Sequence, residues 1–351
     1  MKILFLCGRE PSYPRNALMS YMLSQKHIID LPFKKFRYKS ITLRSLILIL
    51  FSFPKIITSK YDMVFVGFLG NIIMLAIGKF SRAPIIFDAF ISLYDTMCYD
   101  RKYFPPSSFL GRLAKTIDQV SCSFASQIIV DTKSSREYFK TVLGVPGEKI
   151  NVIYVGCDDR IFYPLDEEEH FKEVLFFGEF LPIHGIDIIL NSAKIVQNID
   201  PEVKFILLGY TKKRRKYKNL STELGLRNIV FQPPVPLDQL KTWISHAAVC
   251  LCGHFSDVKK AYRVIPGKIY PCMAMGKALI AGDNPANREI LTHGKDAWMC
   301  EMSNPDELAK AILLLLNSPD LRKSLGETAR STYLNTVSNQ KLMGDLTNIF
   351  Q

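Results

Sequence analysis

The sequence of 351 residues lacks the residue spacings that mark metal sites and disulfide frameworks. Its eight cysteines are scattered, and only Cys250 and Cys252 lie close together, so there is no Cys-x-x-Cys pair. The six histidines form no cluster along the chain either. We therefore expect reduced, mostly buried thiols in a cytosolic protein, with no structural zinc or other metal.

Long apolar runs, low-complexity tracts and clear internal repeats are also missing. The apolar run at residues 46–53 is much shorter than the roughly 20 residues that a membrane-spanning helix needs. Residues 1–8 are apolar but too few for a signal peptide, and Arg9 and Glu10 follow directly. The sequence therefore predicts a buried first strand here and a cytoplasmic location.

Acidic residues are scarce in the N-terminal half. Residues 1–165 hold 22 Lys and Arg against 12 Asp and Glu, whereas residues 166–351 hold 23 against 21. From Lys26 to Lys60, eight cations and one acid are interleaved with apolar and aromatic residues. This pattern favours adsorption to an anionic membrane surface. The alternative is a buried helix that ends at Pro54, with its basic flanks in water.

Nucleic-acid binding is a weaker interpretation of the same charge, because no recognition motif accompanies it. The basic run at residues 212–216 is interpreted as a solvated helix face. We therefore expect no nucleic-acid partner.

Apolar, β-branched runs alternate with segments of helical period, which predicts parallel sheets covered by helices. The pattern occurs twice, and a chain of this length favours two domains, which we divide near residue 165. The strands are predicted at residues 2–7, 63–67, 84–87, 127–131 and 150–155, and then at 174–177, 204–208, 229–232, 249–252, 278–281 and 297–300. Asn304 and Pro305 are predicted to begin a late helix, as its N-cap and first residue.

A basic loop leads into a short apolar helix late in the chain. Lys259, Lys260 and Arg263 precede the segment Pro266-Gly267-Lys268, and the apolar residues that follow end at Gly276. Such a loop suits a phosphate, because free backbone N–H groups and the helix dipole both favour anions. The alternative is a solvated charge run before a core helix.

This segment and several others resemble the retaining glycosyltransferases of family 4. The family's Pro-x-Lys-x-Tyr-Glu run and its Ala-Met-Gly-Lys-Pro-Val-Ile run stand here at residues 266–271 and 274–280. Residues 173–187 resemble the first strand, loop and helix start of the family's C-terminal domain, and residues 203–209 resemble its second strand. Residues 9–16 and 88–96 resemble one bacterial and archaeal branch.

The resemblance implies an α/β protein with the GT-B fold, in which two doubly wound Rossmann-like domains face a central cleft. Residues 1–165 are expected to bind the acceptor and residues 166–335 the nucleotide-sugar donor, while residues 336–351 form a helix that crosses back to the first domain. No cofactor is expected.

The implied reaction is retaining and metal-independent transfer of a sugar to a glycan or lipid-linked acceptor, in the synthesis of cell-surface polysaccharide or glycolipid. The expected location is peripheral, at the inner face of the plasma membrane.

The resemblance also implies a set of donor-binding residues that follow predicted strands. Arg263 and Lys268 are the main candidates for holding the departing diphosphate, and His184 is another. The alternative for His184 is that it is an ordinary surface histidine without a role in the site. Glu289 or Asp257 is a candidate for the ribose contact. The donor-binding set is Gly178, His184, Gly185, Arg263, Gly267, Lys268 and Glu289.

The sequence departs from the family pattern at the donor site. Glu179 stands where the family commonly has an Arg, and Pro271 stands where a Glu usually holds the ribose hydroxyls. Arg263 replaces the first Glu of the family's Glu-x7-Glu pattern. A degenerate GT-B protein that acts as a binding or scaffold subunit is therefore an alternative, and a GT-B sugar-nucleotide epimerase is a second.

On the acceptor side, Asp88 is the candidate catalytic residue, because an Asp after a strand can orient the acceptor hydroxyl or support an oxocarbenium-like transition state. The alternative is that Asp88 caps a loop or pairs with Arg101. Arg9, Arg15, Asp95 and Arg101 are predicted to line the acceptor entrance.

Overall fold

The computed structural model of the protein describes residues 1–32, 40–58, 60–209 and 214–350. Residue contacts divide the chain into two compact units. Unit 1 consists of Met1–Val155 and Leu342–Gln351, and unit 2 consists of Gly156–Lys341. The cations Lys34, Lys35, Arg37 and Lys39 of the predicted basic region, and Lys212 and Lys213 of the second basic run, lie outside the described residues.

Unit 1 is built on a sheet of parallel strands with helices on both faces. Its strands are β1 (Lys2–Cys7), β2 (Ile28–Asp30), β3 (Met63–Gly67), β4 (Ile85–Asp88), β5 (Gln127–Val130) and β6 (Ile150–Val152). Its helices are α1 (Pro14–Ser24), α2 (Ile41–Ile57), α3 (Asn71–Ile77), α4 (Phe109–Ser123) and α5 (Lys133–Thr141). The strand order is β2-β1-β3-β4-β5-β6, and every neighbouring pair is parallel.

Successive side chains of each strand point to opposite faces of the sheet, so unit 1 has two cores. On one face, Phe5 of β1 packs in a cluster with Leu18 of α1. On the other face, Leu4 of β1 joins a cluster that includes Leu48 of α2, Met74 of α3 and side chains of α4 and α5. Helices α2, α3 and α4 therefore share one face of the sheet.

Helix α2 differs from its predicted end. It continues through Pro54 to Ile57, so the end at Pro54 that the alternative interpretation gave is wrong. A proline inside a helix leaves the carbonyl four residues earlier without its donor. Pro54 and Leu50 are both exposed, while Ile56 is buried in the core and holds the last turn.

Unit 2 repeats the layered arrangement. Its strands are β7 (His170–Phe177), β8 (Lys204–Leu208), β9 (Ile229–Gln232), β10 (Ala247–Leu251), β11 (Leu279–Gly282) and β12 (Trp298–Cys300). The helices that follow α5 are α6 (Ile186–Ile199), α7 (Arg214–Glu223), α8 (Leu237–His246), α9 (Ile269–Ala274), α10 (Pro305–Leu316), α11 (Pro319–Thr336) and α12 (Asn339–Asn348). The sheet order is β12-β11-β10-β7-β8-β9, again with parallel pairs only.

Both strand orders are doubly wound. Read from β9, the unit 2 sheet has the third, second, first, fourth, fifth and sixth strands of that unit, which is the Rossmann order. The unit 1 sheet begins with its second, first and third strands, as in flavodoxin-like folds. The order reverses between β7 and β10 and between β1 and β3, and ligands of such folds bind at the carboxyl ends of strands beside a reversal.

Candidate functional site

The strongest cluster of functional side chains lies at the strand-order reversal of unit 2. Gly178 and His184 follow β7, whereas His254 and the basic loop that ends at Lys268 follow β10. Because β7 and β10 are parallel neighbours, these segments leave the sheet at the same edge. The structure thus brings together Gly178, His184 and Lys268 of the predicted donor set.

Lys268 is buried, with 6% of its surface exposed. Its Nζ lies 3.2 Å from Nε2 of His184 and 4.7 Å from the centroid of the Phe176 ring. A Cβ placed at Gly178 would lie 3.5 Å from the same Nζ, and Gly178 has a φ of +127°, which favours glycine. Within the described residues, no carboxylate lies within ion-pair distance of Lys268.

The hydrogen bonds of His184 define how it faces Lys268. Nδ1 of His184 contacts the carbonyl oxygen of Glu179, and a carbonyl only accepts, so Nδ1 carries the proton. Nε2 is then the acceptor for the Lys268 ammonium group. The ring of His184 also stacks on His254, with centroids 5.4 Å apart and planes 13° from parallel.

Burial controls the charge of this cluster. It lowers the pKa of Lys268 to about 8, and the nearby Cys252 and Cys272 act in the opposite direction. Burial, followed by the charges of Lys268 and Lys260, lowers the pKa of His254 well below its ordinary value, so this imidazole is neutral. In the described part of the chain, Nδ1 of His254 is buried and has no hydrogen-bond partner.

The remaining predicted donor residues lie on neighbouring segments. Gly185 has a φ of +66° immediately before α6, and a Cβ there would come within 2.9 Å of the backbone carbonyl carbon of Phe255. Gly267 faces open space. Arg263 and Glu289 are half-buried, after β10 and β11 respectively. Their positions do not show whether Arg263 and Glu289 contact a ligand, so both roles stay predictions.

Two side chains of the cluster were not among the predicted site residues. His254 and Lys260 are both buried, and the charge of Lys260 is one of the causes that lower the pKa of His254. The signal for His254 was its position two residues after the end of the predicted strand at Cys252. Helix α9 has only six residues, so the anion site that the sequence suggested must depend on side chains more than on the dipole of that helix.

In unit 1, Asp88 is the last residue of β4 and forms a buried ion pair with Arg15. Nε and Nη2 of Arg15 donate to the two carboxylate oxygens at 3.0 and 2.8 Å. Nη1 of Arg15 donates to the carbonyl oxygens of Ile153 and Tyr154 at 3.1 and 3.2 Å. The alternative that Asp88 pairs with Arg101 is therefore wrong, and the sequence missed this partner because Arg15 lies on a different segment.

The other predicted acceptor residues lie on two loops at the same edge of the sheet. Arg9 is half-exposed and lies 4.9 Å from the centroid of the Tyr13 ring. Asp95 is buried at the start of the π-helical segment Asp95–Asp100. Arg101 is half-buried, with its Nε 3.6 Å from Asp100. Their roles toward an acceptor stay predictions.

A carboxylate outside the predicted set holds the loop after β4. Asp118 of α4 accepts hydrogen bonds from Asn71 Nδ2 at 3.1 Å and Ser92 Oγ at 2.6 Å. It also accepts from the backbone N–H groups of Leu93 and Tyr94 at 3.0 and 2.9 Å. Burial raises the pKa of Asp118 to about 6 despite these donors. The loop that carries Asp95 is thereby fixed to α3 and α4.

No group of three or more His, Cys, Asp or Glu side chains in the described ranges is arranged to hold a metal ion. Among the described helices, none combines the length and the apolar character needed to cross a bilayer.

Comparison with known proteins identifies the family. The profile described as "Glycosyl transferases group 1" matches residues 158–332. The chain belongs to this family. An uncharacterized glycosyltransferase from Methanocaldococcus jannaschii is 28% identical over 179 residues, which are 51% of this chain and 47% of that protein. An uncharacterized glycosyltransferase from Haemophilus influenzae is 22% identical over 45% of this chain and 43% of its own length. The chain therefore spans about half the length of these curated relatives.

Solved structures share the fold over nearly the whole group 1 chain. Sucrose-phosphate synthase from Thermosynechococcus elongatus aligns over 99% of this chain and 98% of its own, with a TM-score of 0.77 and 14% identity. Anabaena HepE, solved in complexes with UDP and with UDP-glucose, aligns over 100% and 99%, with a TM-score of 0.72 and 17% identity. The predicted GT-B fold with two Rossmann-like domains is confirmed.

The buried pair of Asp88 and Arg15 yields a stability prediction. Asp88→Asn leaves the guanidinium charge buried without its carboxylate, so we expect the free energy of unfolding to fall by about 3–5 kcal/mol. Urea denaturation followed by circular dichroism measures this. Asp62→Asn is the control, because its carboxylate lies at an exposed site, where it accepts from the backbone N–H of Lys2. An unchanged midpoint for Asp88→Asn would mean that the pair does not hold the fold.

Proposed function

We propose that this protein transfers a sugar, with retention and without a metal, from a nucleotide donor to a glycan or lipid-linked acceptor. The observation that carries the proposal is the buried contact between Lys268 and His184 at the strand-order reversal of unit 2. Membership of the group 1 glycosyltransferases and the UDP and UDP-glucose complexes of HepE support a nucleotide sugar as donor.

The chemistry of this cluster suits the leaving diphosphate. When the bond between the anomeric carbon and the diphosphate oxygen breaks, the oxygen keeps the electron pair, and its negative charge must be stabilised. The Lys268 ammonium group and the α6 N-terminus beside Gly185 both offer positive charge where water is largely excluded. We assign Lys268 the direct charge contact, with His184 orienting it through Nε2.

The first test removes the charge but keeps the aliphatic stem over Phe176. Lys268→Met should weaken UDP binding about tenfold or more, because a hydrogen bond to a charged group contributes about 1.5–3 kcal/mol. Isothermal titration calorimetry with UDP, GDP and ADP measures affinity and base preference together. Lys259→Met is the matched control, since Lys259 is exposed in the same basic loop and should bind UDP like the parent. Equal affinity of Lys268→Met and the parent would remove Lys268 from the site.

The lowered pKa of Lys268 gives a second test. A bound diphosphate favours the protonated amine, so UDP binding near pH 8 should take up a proton, and affinity should fall as the pH rises through about 8. Calorimetry in two buffers of different ionisation enthalpy measures the uptake, and it should vanish in Lys268→Met. His254, Lys260, Cys252 and Cys272 are the other titratable groups acting on this cluster, and the neutral His254 does not change charge in this range.

The sign of the stability effect is opposite to that of binding. The folded pKa of Lys268 lies below the ordinary value of 10.5, so the unfolded chain binds more protons between about pH 8 and 10.5. The contribution of Lys268 to stability therefore rises with pH over this window while UDP affinity falls. Parallel changes of affinity and stability would show that the pH effect on binding is general unfolding.

One observation favours the scaffold alternative. Pro271, in the first turn of α9, has no side-chain acceptor for a ribose hydroxyl, and it is buried. If the protein were a binding or scaffold subunit without a donor site, none of the three nucleoside diphosphates would bind the parent. Binding of any one that depends on Lys268 would exclude this alternative.

We also propose that unit 1 adsorbs to an anionic membrane at the inner face of the plasma membrane, as the charge between Lys26 and Lys60 predicted. The exposure of Leu46, Leu50 and Phe51 on α2 supports this, because these apolar side chains follow a basic segment in the sequence.

The salt dependence of vesicle binding tests the adsorption. Binding to anionic vesicles should weaken as salt rises to about 0.5 M, because screening shortens the reach of surface charge. A variant with Gln at the four cations of residues 34–39 should be released: Lys34, Lys35, Arg37 and Lys39. The charge-matched control carries Gln at four exposed lysines of unit 2 and should bind like the parent: Lys295, Lys310, Lys323 and Lys341. Equal binding to neutral and anionic vesicles would contradict the proposal.

A further inference from the structure

Exposed apolar side chains are concentrated in one part of the described chain. Of its 21 exposed large apolar residues, 11 lie between residues 43 and 113. They occur on α2, on or just after α3, and on or just before α4. These three helices share one face of the unit 1 sheet, and α3 contacts both of the others. The outer side of one helix layer is therefore unusually apolar.

The first turn of α4 is the most exposed part of this layer. Phe109, Leu110 and Leu113 are 73%, 51% and 43% exposed, and residues spaced by four lie on one side of a helix. Tyr103, on the loop that leads to α4, is 70% exposed. A helix that served only to cover the sheet would have polar residues at these positions.

The charged residues of the stretch that contains this turn have a single sign. Arg101, Lys102, Arg112 and Lys115 all lie within residues 101–117, and this stretch has no acidic residue. Arg112 and Lys102 are exposed. Cations that flank exposed aromatic and aliphatic side chains match an anionic bilayer, in which the charges meet the headgroups and the apolar groups enter the acyl boundary. An acidic polypeptide or a nucleic acid would match the charges but leave the leucines without an apolar partner.

We propose that the segment 101–115 is a second lipid contact, distinct from the basic region between Lys26 and Lys60, which inserts Phe109, Leu110 and Leu113 into an anionic bilayer. The inference rests on the membrane context of the proposed function. It also narrows the acceptor, because the same loop carries Asp95 and Arg101, two predicted acceptor residues. A lipid contact at this loop holds that end of unit 1 at the bilayer, so the acceptor is lipid-linked.

Tryptophan substitution tests the insertion directly. The chain has two tryptophans, Trp243 and Trp298, both in unit 2. In Phe109→Trp, vesicles of phosphatidylglycerol with brominated acyl chains should shift the emission to the blue and quench it. Phe171→Trp is the matched control, an exposed aromatic position of unit 2 beside Lys172, and it should show neither change. An emission from Phe109→Trp that vesicles leave unchanged would overturn the proposal.

A second variant measures the contribution to binding. Replacing Phe109, Leu110 and Leu113 together with Ser removes exposed side chains only, so the fold should persist, and affinity for phosphatidylglycerol vesicles should fall about tenfold or more. UDP binding should stay at the parent value. Vesicle binding equal to that of the parent would contradict the lipid contact. Loss of a dimer in sedimentation without lipid would instead assign this surface to a second copy of the chain.

Acceptor choice separates this inference from the proposed function. With a UDP-sugar donor, transfer to a lipid-linked sugar in vesicles should fall in the triple Ser variant about as far as vesicle binding does, while transfer to the same sugar free in solution should not change. If the parent binds no nucleotide, the proposed transferase function fails, and the vesicle measurements still decide the lipid contact. A parent that uses only the free sugar would overturn the assignment of a lipid-linked acceptor.

Discussion

The parallel direction of every strand pair in both sheets is the constraint on which the candidate sites depend. The loops that follow parallel strands all lie at one edge of the sheet. Where the strand order reverses, two neighbouring loops diverge and leave room between them. In unit 2 this brings His184 and Lys268 within 3.2 Å although they are 84 residues apart in sequence. In unit 1 it brings Arg15 to Asp88 across 73 residues. Neither pair has a local signal that identifies its partner.

Features of the fold that depend on neighbouring residues could be predicted from the sequence, whereas contacts between distant segments could not. The bounds of β1, β3, β8 and β9 were predicted to the residue, since runs of apolar residues are visible in sequence, and the side chain of Asn304 does cap α10. The strand β2 was missed because it has three residues, none of them fully buried. His254 was missed as a site residue because its place in the site depends on the stacking of its ring against His184, which lies on a distant loop.

The departures from the family pattern at the donor site have different physical consequences. Glu179 is exposed, and it contributes its backbone carbonyl, which contacts Nδ1 of His184. A carbonyl is present whatever the side chain is, so the substitution does not disturb the orientation of His184. Pro271 is the third residue of α9, where a missing N–H has no partner to lose. Pro271 therefore leaves the helix intact, and its effect on the predicted ribose contact stays a prediction.

The two buried cations of the candidate sites differ in whether the protein itself compensates them. Arg15 directs its donors to Asp88 and to two carbonyl oxygens, so its charge is compensated within unit 1. Lys268 has an imidazole nitrogen instead of a carboxylate, and its pKa of about 8 records the cost of that burial. At neutral pH Lys268 is still mostly protonated. Because a buried charge without a counter-charge is unfavourable, the proposed diphosphate would gain from relieving it at Lys268, whereas Arg15 offers an anion no comparable gain.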